Sequence, residues 1–264
     1  MTGYRPWPWA RVIAHRGGGT LAPENTLGAI RTGIGFGYRA IEFDAMLPGD
    51  DTPILMHDPV LGRTRAGRGA ITDYTAAALG AMDAGSWHSP AFAGEPVPTL
   101  DAVLGFCRDH GVWCNVEIKP APGREAATGR VVAAAVAAAY ADLVRPGGAR
   151  PAAVVPAVPL LSSFSVEALE AARAAAPDVP RGWLVDRVPP DWRARLAALD
   201  GVAVHTNHKY LMPAQAADIR AGGAWLFCYT VNEPARAREL LAWGVDAFCT
   251  DRLDLIGSDF ATQG

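Results

Sequence analysis

The sequence predicts a (β/α)8 barrel, and three observations carry that prediction. At 264 residues the chain has the length of one such barrel, which typically needs about 250. Short apolar runs alternate with longer segments rich in alanine and leucine, the rhythm of a parallel sheet whose strands are joined by crossover helices. Four times a helix-like segment stops at glycine and an apolar run follows at once, at Gly37, Gly111, Gly223 and Gly244. Glycine just past a helix end takes the left-handed conformation that other residues resist, so each of these is read as an αβ junction. A doubly wound open sheet uses the same alternation and stands as the second architecture.

Taken in order, strands are expected at 12–15, 40–45, 112–118, 159–163, 181–185, 202–206, 224–230 and 246–250. Each is a short apolar run rich in Val, Ile, Leu or aromatic residues, as buried parallel strands are. Helices are expected at 26–36, 100–109, 124–143, 166–175, 191–199, 213–221 and 234–243. A further run at Ile54-Leu55-Met56 follows Pro48-Gly49-Asp50-Asp51 too closely for a crossover helix, so it reads as the return arm of a hairpin on the second strand. Residues 58–98 break the rhythm. They hold six glycines and a single helical stretch, 74–82, and are read as an insertion on the C-terminal face of one domain spanning 1–264. Loops of that length in a compact domain are usually functional.

Composition narrows the function. Lys+Arg number 24 against 27 Asp+Glu, a formal charge of −3, which gives no global attraction to nucleic acid or an anionic membrane. The four cysteines, Cys107, Cys114, Cys228 and Cys249, form no C-x-x-C, and three lie in apolar runs. A disulfide scaffold and a cysteine zinc site are therefore set aside, and the thiols read as small buried hydrophobes in a reducing compartment. The first ten residues alternate Pro and Trp without the apolar core of a signal peptide, and no window approaches the ~18 apolar residues of a membrane span. The reading is a cytoplasmic protein with no stable membrane association and a small-molecule partner.

In a barrel, chemistry collects where strands end at the C-terminal face. The first strand ends in His15-Arg16-Gly17-Gly18-Gly19, the second carries Glu42-Phe43-Asp44, and the third carries Glu117-Ile118-Lys119. Residues two apart in a strand share a face, so Glu42 with Asp44 and Glu117 with Lys119 are expected to point into the barrel mouth, with Phe43 and Ile118 under the helices. Three converging carboxylates call for a cation among them. Oxygen donors alone select a hard one, Mg2+ or Ca2+, rather than zinc. Arg16 and Lys119, a planar fork and a point charge, suit a phosphate beside that metal. The glycine triplet offers backbone N–H groups to an anion or is simply a flexible loop. His57 ends the hairpin arm; folded over the mouth, it would face His15, and two such histidines suit general acid–base hydrolysis of a phosphodiester.

At these residues the sequence resembles the glycerophosphodiester phosphodiesterase family. The carriers run in order through Ala14-His15-Arg16-Gly17-Gly18, Ala22-Pro23-Glu24-Asn25-Thr26, Ile41-Glu42-Phe43-Asp44, His57-Asp58-Pro59, Asp83-Ala84-Gly85-Ser86-Trp87 and Asn115-Val116-Glu117-Ile118-Lys119. Ser162-Ser163-Phe164, Tyr229-Thr230-Val231-Asn232 and the stretch from Gly244 to Asp251 complete them, so the likeness covers nearly the whole chain. It is most similar to the cytoplasmic bacterial type associated with glycerol-3-phosphate import. The resemblance implies a barrel with a small insertion after its second strand and hydrolysis of glycerophosphodiesters to sn-glycerol 3-phosphate and an alcohol. It implies His15 and His57 as the acid–base pair, Glu42, Asp44 and Glu117 as ligands of a divalent cation, and Arg16 and Lys119 as phosphate contacts. Phe164, Asn207 and Tyr229 match pocket positions at the rim. Many relatives carry Trp where Tyr229 stands. Trp87 is either packing or a lid. A zinc amidohydrolase-type barrel would need His-x-His where this chain has His15-Arg16-Gly17, and a non-catalytic glycerophosphate-binding protein would be expected to lack one of the histidines or carboxylates.

Overall fold

A computed structural model describes residues 5–147 and 154–262, so residues 1–4 of the Pro/Trp segment lie outside the described residues. In chain order the elements are β1 (Val12–Ala14), α1 (Leu27–Gly35), β2 (Ala40–Met46), β3 (Ile54–Leu55), α2 (Ala76–Gly80), α3 (Leu100–Asp109), β4 (Trp113–Ile118), α4 (Glu125–Ala139) and β5 (Leu160–Ser163). They continue as α5 (Val166–Ala175), β6 (Arg181–Val185), α6 (Trp192–Ala198), β7 (Ala203–Asn207), α7 (Pro213–Ala221), β8 (Trp225–Tyr229), α8 (Pro234–Ala242) and β9 (Ala247–Thr250). The parallel strands run β1-β9-β8-β7-β6-β5-β4-β2, and β1 pairs with β2 to close the ring. This is a (β/α)8 barrel, not the open sheet. β3 lies antiparallel on the end of β2, with Ala45 opposite Leu55 and Met46 opposite Ile54, the hairpin arm the sequence predicts.

Gly37, Gly111, Gly223 and Gly244 all have positive φ, from +62° to +88°, as junction glycines should. Two helices are shorter than the periodicity suggests. The expected 124–143 helix ends at Ala139, because the Arg108 guanidinium takes the Ala139 carbonyl and the chain turns at the buried Tyr140. The insertion helix keeps only Ala76–Gly80, since Tyr74 is extended and Thr75 caps the first turn by accepting the Ala78 N–H.

Among the described residues, apolar side chains form three clusters. The largest lies between strands and helices and includes Phe43 and Ile118, the outward neighbours of the expected site residues. A second fills the lower lumen with Ile13, Trp113, Leu160, Trp225 and Phe227, and is sealed from below by Trp7 and Trp9. Trp9 stacks on Trp113 at 4.5 Å and Trp7 meets Trp225 edge-on at 5.6 Å. Each buried ring of this size contributes about 1.5–3 kcal/mol. The third joins Met46, Ile54 and Met56 to Leu61, Ile71, Leu79 and Val97, giving the insertion its own small core against the end of β2. Among the described residues no helix is long and apolar enough to cross a membrane.

Candidate active site

The upper lumen opens as a cavity of about 240 Å3 at the C-terminal ends of the strands. Alternation on β2 turns Glu42 and Asp44 inward, and on β4 it does the same for Glu117. One oxygen from each of these three carboxylates lies within 4.8 Å of the others. Register explains the convergence, for Asp44 pairs directly with Glu117 across β2 and β4. Burial and mutual repulsion push the Glu42 carboxyl up to about 7 and the Glu117 carboxyl up to about 8. Asp44 moves the other way. Against its burial, the charges of Lys119 and Arg16 hold its carboxyl below the usual carboxylate range. Lys119 Nζ stands 3.3 Å from Asp44 and 3.1 Å from Glu117, and Arg16 Nε stands 3.4 Å from Asp44. The two cations expected to meet phosphate are thus also counter-ions to the carboxylates.

Asn25 completes Asp44's surroundings. Its Nδ2 donates to Asp44 Oδ2 at 2.8 Å, and its Oδ1 accepts the Asp44 backbone N–H at 3.0 Å. Asn25 and Arg16 both hold positive φ, +59° and +50°, in the loop that follows β1. Gly19 in that loop has φ +56°, and a Cβ there would run into the Asp251 carbonyl; its N–H donates to His15. For Gly19, then, close passage over the end of β9 accounts for the glycine.

Both histidines face this cavity, and each is held from behind by a carboxylate. His15 Nδ1 lies 2.5 Å from Asp251, with His15 Nε2 3.7 Å from Glu42. His57 Nδ1 lies 2.7 Å from Asp58. With Nδ1 engaged, Nε2 is the nitrogen left for chemistry on each ring. Their environments differ. Burial disfavours the charged form of both, but at His15 the Asp251 hydrogen bond and Glu42 outweigh it and raise the pKa, whereas at His57 burial prevails and lowers it. Asp251 is itself fixed by Asn232, which donates Nδ2–H to it at 3.0 Å and accepts its backbone N–H at 2.8 Å. Arg63 ties the His57 side to the β1 loop by bonding both Asp58 and Glu24.

Phe164 and Tyr229 form the outer wall as an edge-to-face pair at 5.7 Å, and the Tyr229 hydroxyl donates to the Val185 carbonyl at 2.9 Å. Asn207 pairs with Tyr229 in strand register, yet it is not part of the cavity wall, and its Oδ1 accepts the Lys209 N–H. Trp87 is neither buried packing nor over this cavity. It stands 43% exposed with its Nε1 on the Ala84 carbonyl, lining a second recess that shares His15 and Arg16 with the first. Asp251, Asn25, Asp58 and Asn232 had no assigned part in the sequence reading, although all four stand in the quoted motifs. Asn115 and His205 also line the cavity.

The sequence pattern of the glycerophosphoryl diester phosphodiesterase family matches residues 15–255. The chain belongs to this family. It is 30% identical over 258 residues to a glycerophosphodiester phosphodiesterase of Bacillus subtilis, covering 92% of this chain and 84% of that one. A namesake from Caldanaerobacter subterraneus is 28% identical over 246 residues, covering 91% of this chain and 93% of the other. Among solved structures, a phosphodiesterase of Oleispira antarctica in complex with the product sn-glycerol-3-phosphate superposes with a TM-score of 0.82 at 32% identity, covering 96% of this chain and 97% of that one. A glycerophosphodiester phosphodiesterase of Agrobacterium tumefaciens superposes at 0.72 with 25% identity, covering 96% and 99%. The fold, with its closed parallel barrel, is that of these family structures.

Proposed function

We propose that this family member hydrolyses glycerophosphodiesters to sn-glycerol 3-phosphate and an alcohol, with His15 and His57 as the acid–base pair. The observation that carries the reading is the pair of carboxylate-backed imidazoles, His15–Asp251 and His57–Asp58, on a cavity lined also by Arg16, Lys119, Glu42 and Glu117, with Asp44 clustered against the two glutamates. The product bound to the Oleispira antarctica phosphodiesterase supports the same substrate class. One imidazole accepts the proton of the attacking O–H, of water or of a glycerol hydroxyl, as its oxygen bonds to phosphorus, and the other gives a proton to the departing alkoxide as the P–O bond breaks. Where the glycerol hydroxyl attacks, water then opens the cyclic phosphate with the two proton roles exchanged. Arg16 and Lys119 bind the non-bridging phosphoryl oxygens, and Phe164 and Tyr229 pack against the carbon skeleton. Asn207 supports the rim through its strand pairing with Tyr229.

Glu42, Asp44 and Glu117 would hold a divalent cation, Mg2+ or Ca2+. Their donor chemistry fits one, since three carboxylates lie within a single ion's reach and two of them resist ionising together. When bound, such a cation supplies positive charge to the phosphoryl group. Residues 58–98 act as a functional wall of a single catalytic domain. Four buried, unpaired thiols support the cytoplasm as its compartment. A metal-supplemented assay on glycerophosphocholine, coupled to detection of glycerol 3-phosphate, tests the function. Release of glycerol 3-phosphate is expected; hydrolysis that instead yields phosphocholine and glycerol would overturn the product assignment.

A further inference from the structure

Beside and below the carboxylates lie polar side chains that the acid–base scheme does not use. Asn115 Oδ1, Ser162 Oγ and both ring nitrogens of His205 are buried and make no hydrogen bond among the described residues. His205 and Asn115 face the catalytic cavity. Ser162 shares the lumenal face of β5 with Leu160 and pairs in register with both Glu117 and Gly182. Gly182 leaves the space the imidazole occupies, since a Cβ there would stand 2.6 Å from His205 Nε2. The ring rests on Phe227 at 4.5 Å, nearly parallel to it. Ser162 Oγ and His205 Nε2 therefore address one region of the lumen, on either side of a glycine. Asn115 sits two residues before Glu117 on β4, about 6.6 Å deeper at the usual rise of a parallel strand.

Burial pushes the His205 imidazole down to about 3, so it stays neutral with one donor and one acceptor nitrogen. Asn115 and Ser162 are likewise uncharged. A phosphate is better served by Arg16 and Lys119 above, and an ammonium group finds no carboxylate among these three. Hydroxyl groups, which donate and accept at once, match such a floor, and unpaired buried polar atoms favour a ligand that pairs them.

We propose that His205, supported by Asn115 and Ser162, is a specificity-determining floor that hydrogen-bonds the hydroxyl groups of the glycerol half of the substrate. This rests on the glycerophosphodiesterase reading above and adds an orientation, in which glycerol points down the lumen and the second alcohol points out of the mouth.

The test compares glycerophosphocholine with methylphosphocholine, a diester of the same head group without glycerol hydroxyls. His205→Phe keeps the ring and its stacking but removes both nitrogens. It is expected to lower kcat/KM on glycerophosphocholine by about 10- to 100-fold while leaving methylphosphocholine within about twofold. His205→Gln, which restores a donor and an acceptor, should recover part of the loss. Equal losses on the two diesters, or none on either, would overturn the floor and leave these atoms to buried water. If circular dichroism shows that His205→Phe does not fold, Ser162→Ala carries the same comparison with the same two outcomes. Wild-type protein that cleaves methylphosphocholine as well as glycerophosphocholine would refute the floor and leave a phosphodiesterase standing. Wild-type protein that cleaves neither would refute the function itself.

Discussion

His15 and Asp251 are 236 residues apart in the chain and 2.5 Å apart in the fold. That contact exists because β1 and β9 are neighbours, with Ala14 opposite Thr250. The carboxylate cluster was legible in the sequence, since a two-residue period within one strand sets Glu42 beside Asp44. The partners behind the histidines were not, because only the order of strands around the ring brings Asp251 to His15. Asn207, matched to the rim of the pocket, stands at the end of β7 with its Oδ1 accepting the Lys209 N–H of the next loop. Replacing either His15 or His57 by Ala should lower kcat by roughly 10²–10⁴. The double variant should be far less than multiplicatively worse, because the two act in one transition state. A near-normal kcat for His57→Ala would remove that residue from the chemistry. Asp251→Asn should lower kcat with little change in KM, since it acts through the orientation of His15; steady-state kinetics on glycerophosphocholine separates the two constants. Glu117→Gln should weaken Mg2+ or Ca2+ binding by calorimetry while the circular dichroism spectrum stays unchanged. Full activity in protein freed of metal and held in chelator would sink the metal assignment.

The elements around the site were legible because apolar runs alternate with helical segments and glycine marks four of the junctions. Their ends drifted where tertiary contacts took over, as Arg108 does at the end of α4. The insertion was legible only as a break in rhythm, since short turns held by isolated bridges leave no period to detect. Its core is anchored on Met46 and Ile54, so a variant that replaces 59–98 with a short Gly/Ser loop and keeps β3 should fold, with a raised KM for glycerophosphocholine. Failure of that variant to fold would make the segment part of the barrel's own core. A second element-level test lies where α4 crosses α5. Gly129 packs on the Ala168 carbonyl with no room for a side chain. Gly129→Ala should therefore destabilise the protein by about 1–3 kcal/mol in urea titration despite its better helix propensity.

At the scale of the molecule, the barrel class follows from length and alternation, and both survive because the strands are buried and largely apolar. The aromatic rings near the mouth are divided between the Phe164–Tyr229 pair and Trp87 on the insertion. A quaternary ammonium is held best by several rings around one point. Glycerophosphocholine, glycerophosphoethanolamine and glycerophosphoglycerol should therefore have kcat/KM values within about tenfold of one another. A parallel kinetic series that singles out one head group would reverse the orientation assigned to the substrate. The tryptophan plug at the other end was invisible as such in the sequence, where Trp7 and Trp9 were only residues beside prolines. It turns the lumen into a cul-de-sac. Substrate and both products share one doorway, so the half that lies deeper must wait for the other to depart. Glycerol 3-phosphate should then compete directly with the diester for free enzyme, whereas the released alcohol should inhibit only weakly, and accumulation of the deeper product would throttle turnover from inside the barrel.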